Sequence, residues 1–214
     1  RLVEELKKRE SRRVNAPNFR GGDTPSLSNP TFFEFVTVMA LKFFAEQKCD
    51  LVIWETGLGG RLDATNIVTP IASVITNISF DHQQWLGDTL AKIAFEKAGI
   101  IKTGIPVVTT VDEPEALAVI EKVAREKNAP LTKSNFREGR RVAVPNQRKF
   151  ESPARRPSQV NLLGEHQKQN AALALATIEV LQKQIPVSEK QIRDGLQNVN
   201  WPGRLQLVEK PNGQ

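Results

Sequence analysis

Three short apolar runs, separated by helical and glycine-rich segments, constrain the fold more than any other feature of this chain. They occupy residues 51–54, 71–78 and 105–110. Short runs that are apolar throughout are typical of strands buried on both faces. Strands that alternate with helices form a mostly parallel sheet. The sequence therefore predicts an α/β fold in which helices cover both faces of a mostly parallel sheet.

The helical segments carry apolar side chains at steps of three and four residues. Asn29 and Pro30 are typical of the first turn of a helix, which we expect to reach Gln47. Phe32, Val36, Met39 and Phe43 follow at these steps, and the two aromatic side chains among them, Phe32 and Phe43, are predicted to lie in the core. Further helices are predicted at 88–98 with Asp88 as the N-cap, at 114–127, at 167–182, and after a capping box at 188–191.

Length and composition favour one globular domain with short flanking segments. The chain has 214 residues, of which 39% are hydrophobic and 25% charged, and no apolar run approaches the roughly 18 residues of a membrane helix. We expect residues 1–28 to form an irregular, partly helical remnant, 29–204 the domain, and 205–214 the start of a linker. The single cysteine, Cys49, fits a reducing, cytoplasmic setting. No membrane partner is expected.

The positive charge is concentrated in one basic segment, residues 133–156. This segment contains eight basic and two acidic side chains, and the excess of six equals the net charge of +6. We expect exposed loops around a short strand at 141–144. We interpret the segment as a solvated surface or as a contact with an anionic ligand. A nucleic-acid contact is a further alternative, but Phe136 and Phe150 are the only rings there, so no nucleic-acid partner is expected.

Two predicted strands end in side chains that could act together. The first runs into Glu55 and the glycine-rich stretch of Gly57, Gly59 and Gly60, and the second runs towards His82. Because ligands collect beyond the carboxyl ends of parallel strands, this carboxylate and this imidazole could converge on one metal ion or one reacting group. The sequence has no Gly-Lys dipeptide and therefore no Walker-type phosphate loop. A carboxylate beside a glycine-rich turn repels phosphate unless a cation lies between them.

Lys97 lies on the face of its predicted helix that Ile93 and Ala94 make apolar. Such a lysine either extends its amine to solvent or holds it in a partly desolvated site that favours the neutral, reactive form. Lys92 and Glu96 lie on another face, where we expect them to form an exposed ion pair.

Six motifs occur in order along the chain. They are WETGLGGRLDATN (54–66), SFDH (79–82), LGDTL (86–90), EKAGIIK (96–102), GEHQKQN (164–170) and WPGR (201–204). Together they resemble the folylpolyglutamate synthase/dihydrofolate synthase family of Mur-type ligases. The resemblance implies an ADP-forming acid–amino-acid ligase that uses ATP to phosphorylate the carboxylate of dihydropteroate or folate and then joins glutamate to the acyl phosphate.

The same resemblance implies a P-loop-type Mur ligase central domain without its first strand and its Gly-rich ATP loop. In the family these precede the motifs, and a smaller C-terminal domain follows them. We therefore expect this chain to be an N-terminally truncated fragment, inactive alone, of a monomeric parent protein. Another Mur-type ligase of cell-wall synthesis is the alternative enzyme.

The resemblance also implies roles for individual residues. Glu55 and His82 resemble the protein ligands of Mg²⁺, and Lys97 resembles a catalytic lysine that is carbamylated in this family. Asn170 and Arg204 resemble residues that contact ATP. The residues that resemble the family's dihydropteroate-contacting segments are Thr31, Phe32, Phe33, Glu34, Leu62, Asp63 and Ala64.

Overall fold

The structure, a computed structural model, describes residues 29–134 and 160–201. They form two compact units: the first contains residues 29–70 and 80–100, and the second contains 71–79, 101–134 and 160–201. Residues 1–28, most of the basic segment with its predicted strand at 141–144, Arg204 and the predicted linker lie outside the described residues. Within the described ranges, no helix is long and apolar enough to span a membrane.

The first unit is mainly helical in its described part. Its elements are α1 (Phe32–Glu46), a 3-10 helix (Ala64–Ile67), α2 (Gln83–Leu86) and α3 (Leu90–Ala98). The N-cap of α3 is Thr89, whose hydroxyl accepts a hydrogen bond from the Lys92 N–H at 3.2 Å. Asp88, the predicted N-cap, instead pairs with the Lys92 amine at 2.7 Å. The prediction was wrong by one residue because both Asp88 and Thr89 are good capping residues.

A capping box starts α1 two residues beyond the predicted cap at Asn29. The Thr31 hydroxyl accepts a hydrogen bond from the Glu34 N–H at 3.3 Å, and the Glu34 carboxylate accepts one from the Thr31 N–H at 2.8 Å. These bonds satisfy two backbone donors that a helix start otherwise leaves free. The Thr-x-x-Glu pattern that carries them was present in the sequence.

The predicted burial of Phe32 and Phe43, on the apolar face of α1, was wrong. The four apolar side chains of this face are exposed, at 83% for Phe32, 38% for Val36, 54% for Met39 and 55% for Phe43. The buried residues of α1 are Glu34 and Thr37. Periodicity identifies the side chains that share a face of a helix, but the contacts of the whole fold decide which face is covered.

The strand predicted at 51–54 was also wrong. These residues adopt no strand structure, and Leu51 and Ile53 are 56% and 91% exposed. A strand needs a hydrogen-bonded neighbour as well as an apolar sequence, and none pairs with this segment among the described residues. Trp54 is held differently, because its indole N–H donates to the Thr65 carbonyl at 2.9 Å.

The second unit contains the parallel sheet that the sequence predicted. Strands β1 (Ser73–Ile75), β2 (Val107–Thr109) and β3 (Leu131–Lys133) lie in that order, and both pairings are parallel. Val107 lies opposite Ser73 on one side and Leu131 on the other. The predictions at 71–78 and 105–110 correspond to β1 and β2. We did not predict β3, because its three residues include only one large apolar side chain.

The core of the second unit is built around β2. Val107, Val108 and Thr109 are each 0% exposed, and successive strand residues point to opposite faces, so both faces of β2 are covered. Val108 packs with Leu173 and Ala176. The helices of this unit are α4 (Pro114–Glu126), α5 (Glu165–Leu181) and α6 (Glu189–Asn198). They match the predicted helices within two residues, and the capping box that starts α6 is confirmed.

Candidate functional site

A cavity of about 390 Å³ lies in the first unit, between the start of α1 and the glycine-rich stretch. Its lining residues are Thr31, Phe33, Glu34, Gly57, Leu58, Leu62, Asp63 and Ala64. Six of the seven residues that resemble the family's dihydropteroate-contacting segments are among them. The exception is Phe32, which lies outside the lining and is 83% exposed. The structure thus brings two segments that are distant in sequence to one concave surface.

Asp63 organises the wall of this cavity. Asp63 is only 6% exposed. One carboxylate oxygen accepts a hydrogen bond from the Leu58 N–H at 2.8 Å. The other accepts from the Thr65 N–H at 2.9 Å and from the Thr65 hydroxyl. Both oxygens are therefore used to close the turn between Leu58 and the 3-10 helix, as buried carboxylates require.

Glu34 contributes the second carboxylate of the lining, and it is 8% exposed. Its Oε2 atom accepts hydrogen bonds from the Thr31 N–H at 2.8 Å and from the Thr31 hydroxyl at 2.9 Å. The capping box thus fixes an acidic group beside the apolar side chains of Phe33, Leu58 and Leu62. A surface of this kind suits a flat, partly apolar ligand that carries N–H donors.

The glycines of this stretch pack against protein atoms. A Cβ atom at Gly57 would lie 2.6 Å from the Phe33 ring, and one at Gly60 would lie 3.0 Å from the carbonyl oxygens of Glu96 and Lys97. Gly59 has a φ of 66°, in the left-handed region that favours glycine. These glycines therefore allow neighbouring segments of the protein to pack closely. The sequence, which has no Walker-type motif, did not by itself indicate this role.

Glu55 and His82 are both exposed. The Glu55 carboxylate forms no hydrogen bond or ion pair with any part of the chain that the structure describes. His82 has a φ of 48°, and its Nε2 lies 3.6 Å from an Asp81 carboxylate oxygen. No contact joins Glu55 to His82.

Glu55 and His82 supply few ligand atoms, and this suits a cation that keeps several of its waters. Among residues 29–134 and 160–201, no group of three or more His, Cys, Asp or Glu side chains could hold a metal ion. Mg²⁺ keeps several waters and binds through one or two carboxylates plus substrate phosphates, whereas structural zinc needs a complete protein cage. A free carboxylate such as Glu55 therefore fits Mg²⁺, and imidazole is a less usual ligand for that ion.

Lys97 lies half-buried in the last turn of α3, next to Ala98 and one turn from Ile93 and Ala94, each 0% exposed. Its amine has no hydrogen-bond or ion-pair partner in the described part of the chain. The side chain thus leaves an apolar face without being enclosed by it.

The ion pair predicted between Lys92 and Glu96 was wrong. Glu96 binds Arg61 instead, with its carboxylate 2.9 Å from Nη2. Lys92 binds Asp88, and this hydrogen bond holds the pKa of the Asp88 carboxyl below its ordinary value. The helical spacing identified acceptable partners, but it could not include Arg61, which is 35 residues away in sequence.

Asn170 lies on α5 in the second unit and is exposed. Its side-chain amide donates to the Gln167 Oε1 atom at 3.2 Å. Both residues line a second cavity of about 350 Å³ along α5 and α6, whose other lining residues are mostly apolar and include Ile178 and Ile192. Arg204, the other predicted nucleotide contact, falls outside the described residues.

Comparison with known proteins identifies the family. The Mur ligase middle domain family model matches residues 13–178. The dihydrofolate synthase/folylpolyglutamate synthase of Bacillus subtilis (strain 168) is 43% identical over an alignment 206 residues long, which covers 91% of this chain and 47% of that protein.

Two solved structures are also similar. The apo form of L. casei FPGS has a TM-score of 0.73 at 32% identity, with 97% of this chain and 49% of that chain covered. E. coli FolC in complex with DHPP and ADP has a TM-score of 0.65 at 36% identity, with 84% and 42% covered. The chain thus spans about half the length of the relatives that it matches. It belongs to the Mur ligase family, contains that family's middle domain, and has its similar relatives among the folylpolyglutamate and dihydrofolate synthases.

Proposed function

We propose that the polypeptide containing this chain is an ATP-dependent ligase that joins L-glutamate to dihydropteroate, to folate, or to both. The observation that carries this proposal is the cavity of the first unit, which gathers six side chains of the two dihydropteroate-like segments. The relatives support the same chemistry, since one is named a dihydrofolate synthase/folylpolyglutamate synthase and another was solved with DHPP and ADP.

The cavity would hold the pterin end of the substrate. Phe33, Leu58 and Leu62 offer apolar surface to a flat ring system. Glu34 offers a buried carboxylate that could accept hydrogen bonds from ring N–H groups. Asp63 already uses both carboxylate oxygens within its own turn, so its main role in binding would be to shape the wall.

Glu55, with His82 as the second candidate, would hold Mg²⁺. The bound ion would neutralise phosphate charge beside the glycine-rich stretch. Glu55 suits this task because it is exposed and unpaired within the described ranges. This assignment would also account for a carboxylate beside the glycine-rich stretch, since the cation would lie between the carboxylate and the phosphate.

The proposed reaction has two steps. The substrate carboxylate takes the terminal phosphoryl group of ATP and ADP leaves; the glutamate amine then attacks the acyl carbon and phosphate leaves. Lys97 would act beside the reacting groups, directly or as a carbamylated side chain, and Asn170 and Arg204 would contact the nucleotide. We propose residues 29–204 as the domain that carries these groups.

The test is glutamate-dependent ADP release by this chain and by the longer polypeptide that contains it, with dihydropteroate and tetrahydrofolate offered separately. We expect the longer polypeptide to be active and Glu55→Gln to lower its rate by a hundredfold or more, on the order expected when several kcal/mol of charge stabilisation are lost. Glu121→Gln, which makes the same change at another exposed glutamate, should leave the rate unchanged. Release driven only by a cell-wall nucleotide precursor would instead identify another Mur-type ligase.

A binding measurement tests the cavity separately. Phe33 and Phe35 both lie on α1, but of these two only Phe33 lines the cavity. Phe33→Ala should weaken binding of dihydropteroate, followed by fluorescence titration, by about tenfold, because loss of ring contact removes roughly 1–2 kcal/mol. Phe35→Ala, at another exposed ring of α1, should leave binding unchanged. Equal losses in both variants would contradict the cavity assignment.

A further inference from the structure

The glycine-rich stretch and the end of α3 are in direct backbone contact. The Arg61 N–H donates to the Glu96 carbonyl at 2.7 Å. A Cβ atom at Gly99 would lie only 2.3 Å from the Arg61 Cα atom, and one at Gly60 would lie 2.8 Å from the Ile100 side chain. A side chain at Gly99 would require movement of the Arg61 backbone, and one at Gly60 would require at least the Ile100 side chain to move. The two segments therefore meet in one register.

Side chains lock this register from two sides. Asn66, which is 8% exposed, donates through its amide to the Gly99 carbonyl at 2.9 Å and to the Arg61 carbonyl at 3.3 Å. The Arg61 guanidinium binds the Glu96 carboxylate with Nε and Nη2 at 3.1 and 2.9 Å from Oε1. It also lies over the Phe95 ring at 5.4 Å from the centroid. We call this set of contacts the Arg61–Gly99 clamp.

The clamp connects two parts of the proposed reaction site. Lys97 lies inside it, between Glu96 and Gly99, and its carbonyl oxygen lies close to Gly60. Leu58, Leu62 and Asp63 belong to the opposite segment and line the cavity. A shift of the clamp would therefore move the amine of Lys97 relative to the cavity wall.

We propose that Asn66, Arg61 and Glu96 are positioning residues that fix Lys97 relative to the bound substrate. This inference rests on the proposed function, because it takes the cavity and Lys97 as parts of one reaction site. A misplacement of about 1 Å can lower a rate by about a hundredfold. The clamp consists mainly of directed polar bonds and glycine contacts, and such contacts specify geometry more sharply than apolar packing.

Two variants open the clamp in different ways. Gly99→Ala inserts a methyl group against the Arg61 backbone, while the Gly99 φ lies outside the left-handed region, so the strain is purely steric. Because this variant can unfold the unit, Asn66→Asp is the second test: it keeps the side-chain shape but places a carboxylate against two carbonyl oxygens. The matched controls are Gly195→Ala, where nothing lies within 4 Å of the added atom, and Asn198→Asp, which removes an exposed amide-to-carbonyl bond.

The first readout is hydrogen exchange of the Arg61 amide, whose hydrogen bond to the Glu96 carbonyl is part of the clamp and whose exchange does not require catalysis. We expect exchange to accelerate by tenfold or more in Asn66→Asp and to stay unchanged in both controls. The second readout is glutamate-dependent ADP release by the active polypeptide. There we expect kcat to fall by about a hundredfold while KM for dihydropteroate changes less than about threefold. Exchanging the charges in Arg61→Glu with Glu96→Arg should recover activity relative to either single change.

Four outcomes would overturn the inference. Unchanged Arg61 exchange in Asn66→Asp would show that the clamp does not hold the segment. Faster exchange with an unchanged kcat, or an increase in KM alone, would reduce the clamp to a structural contact. These three outcomes leave an active parent polypeptide and the proposed function intact. An inactive parent polypeptide with a protected Arg61 amide would overturn the proposed function, and the inference with it.

Discussion

Each of the two units of this protein is stabilised internally by a different kind of contact. The second unit buries an apolar sheet, with Val107 and Val108 at 0% exposure, against helical side chains such as Leu173. The first unit also has buried apolar residues, but the segments around its cavity are joined by Asp63 and Asn66, polar residues that are less than 10% exposed. Buried polar groups need partners in defined directions, so the first unit is the one in which a small change can alter geometry before it alters stability.

The distribution of apolar surface shows the same difference. The first unit exposes large side chains along α1 and at Leu51 and Ile53. In the second unit, β2 is covered on both faces. Apolar packing supplies most of the stability of a domain, whereas a ligand cavity requires polar groups at fixed positions. We therefore expect substitutions in the second unit to lower stability and substitutions near the cavity to lower binding as well.

The largest expected effect is on stability and comes from the second unit. Ile120 on α4 is 0% exposed, and Ile120→Ala should lower the free energy of unfolding by about 2–5 kcal/mol because it leaves a cavity. Ile120→Val should lower it by about 0.5–1.5 kcal/mol. Urea denaturation measures both. Dihydropteroate binding per folded molecule should not change, and a large loss of binding would remove the distinction between the units.

A smaller effect on stability, with a larger effect on binding, is expected at Asp63. Asp63→Asn replaces one acceptor oxygen by a donor that faces N–H groups, so the free energy of unfolding should fall by about 1–3 kcal/mol. Dihydropteroate binding should weaken by tenfold or more, because the turn that forms the cavity wall opens. Asp112→Asn is the control: Asp112 is a surface partner of Lys133 at 3.0 Å, and the loss there should stay below about 1 kcal/mol. Unchanged binding in Asp63→Asn would mean that the wall keeps its shape without this carboxylate.

The smallest expected effect compares the two capping boxes. Thr31 starts α1 beside the cavity, and Ser188 starts α6 in the second unit. Thr31→Ala and Ser188→Ala should each lower the free energy of unfolding by about 1 kcal/mol. Only Thr31→Ala should weaken dihydropteroate binding, because it removes a donor from Glu34. Thermal unfolding and fluorescence titration of the same samples provide both values, and equal binding in the two variants would contradict a role for the first box in the cavity.

Local patterns predicted local structure well. The helices α3 to α6 and strands β1 and β2 occur where periodicity and apolar runs indicated, with shifts of a few residues at their ends. Thr31 and Glu34 show why a motif can have two explanations: they were assigned to substrate through resemblance, but the Thr-x-x-Glu spacing also predicts a capping box. The structure contains the capping box and places both residues in the cavity lining, while their contact with substrate stays a prediction.

Contacts between distant segments could not be predicted from the sequence. Glu96 had a helical neighbour, Lys92, at a suitable spacing, yet it binds Arg61 from another segment. The strand predicted at 51–54 had the right composition but has no strand neighbour in the described part of the chain. In both cases the missing information was the position of a partner, which spacing along one chain does not contain.

The sequence by itself determined the alternation of strands and helices, the positions of most helices to within a few residues, and the ordered motifs that indicated the Mur ligase family. These features depend on neighbouring residues and on residue identity. Only the tertiary structure decided that α1 exposes its apolar face and that Gly60 and Gly99 lie in close contact with other segments. It also decided that both carboxylate oxygens of Asp63 accept hydrogen bonds within its own turn. The physical reason is that burial, steric fit and hydrogen-bond satisfaction depend on groups brought together from distant parts of the chain.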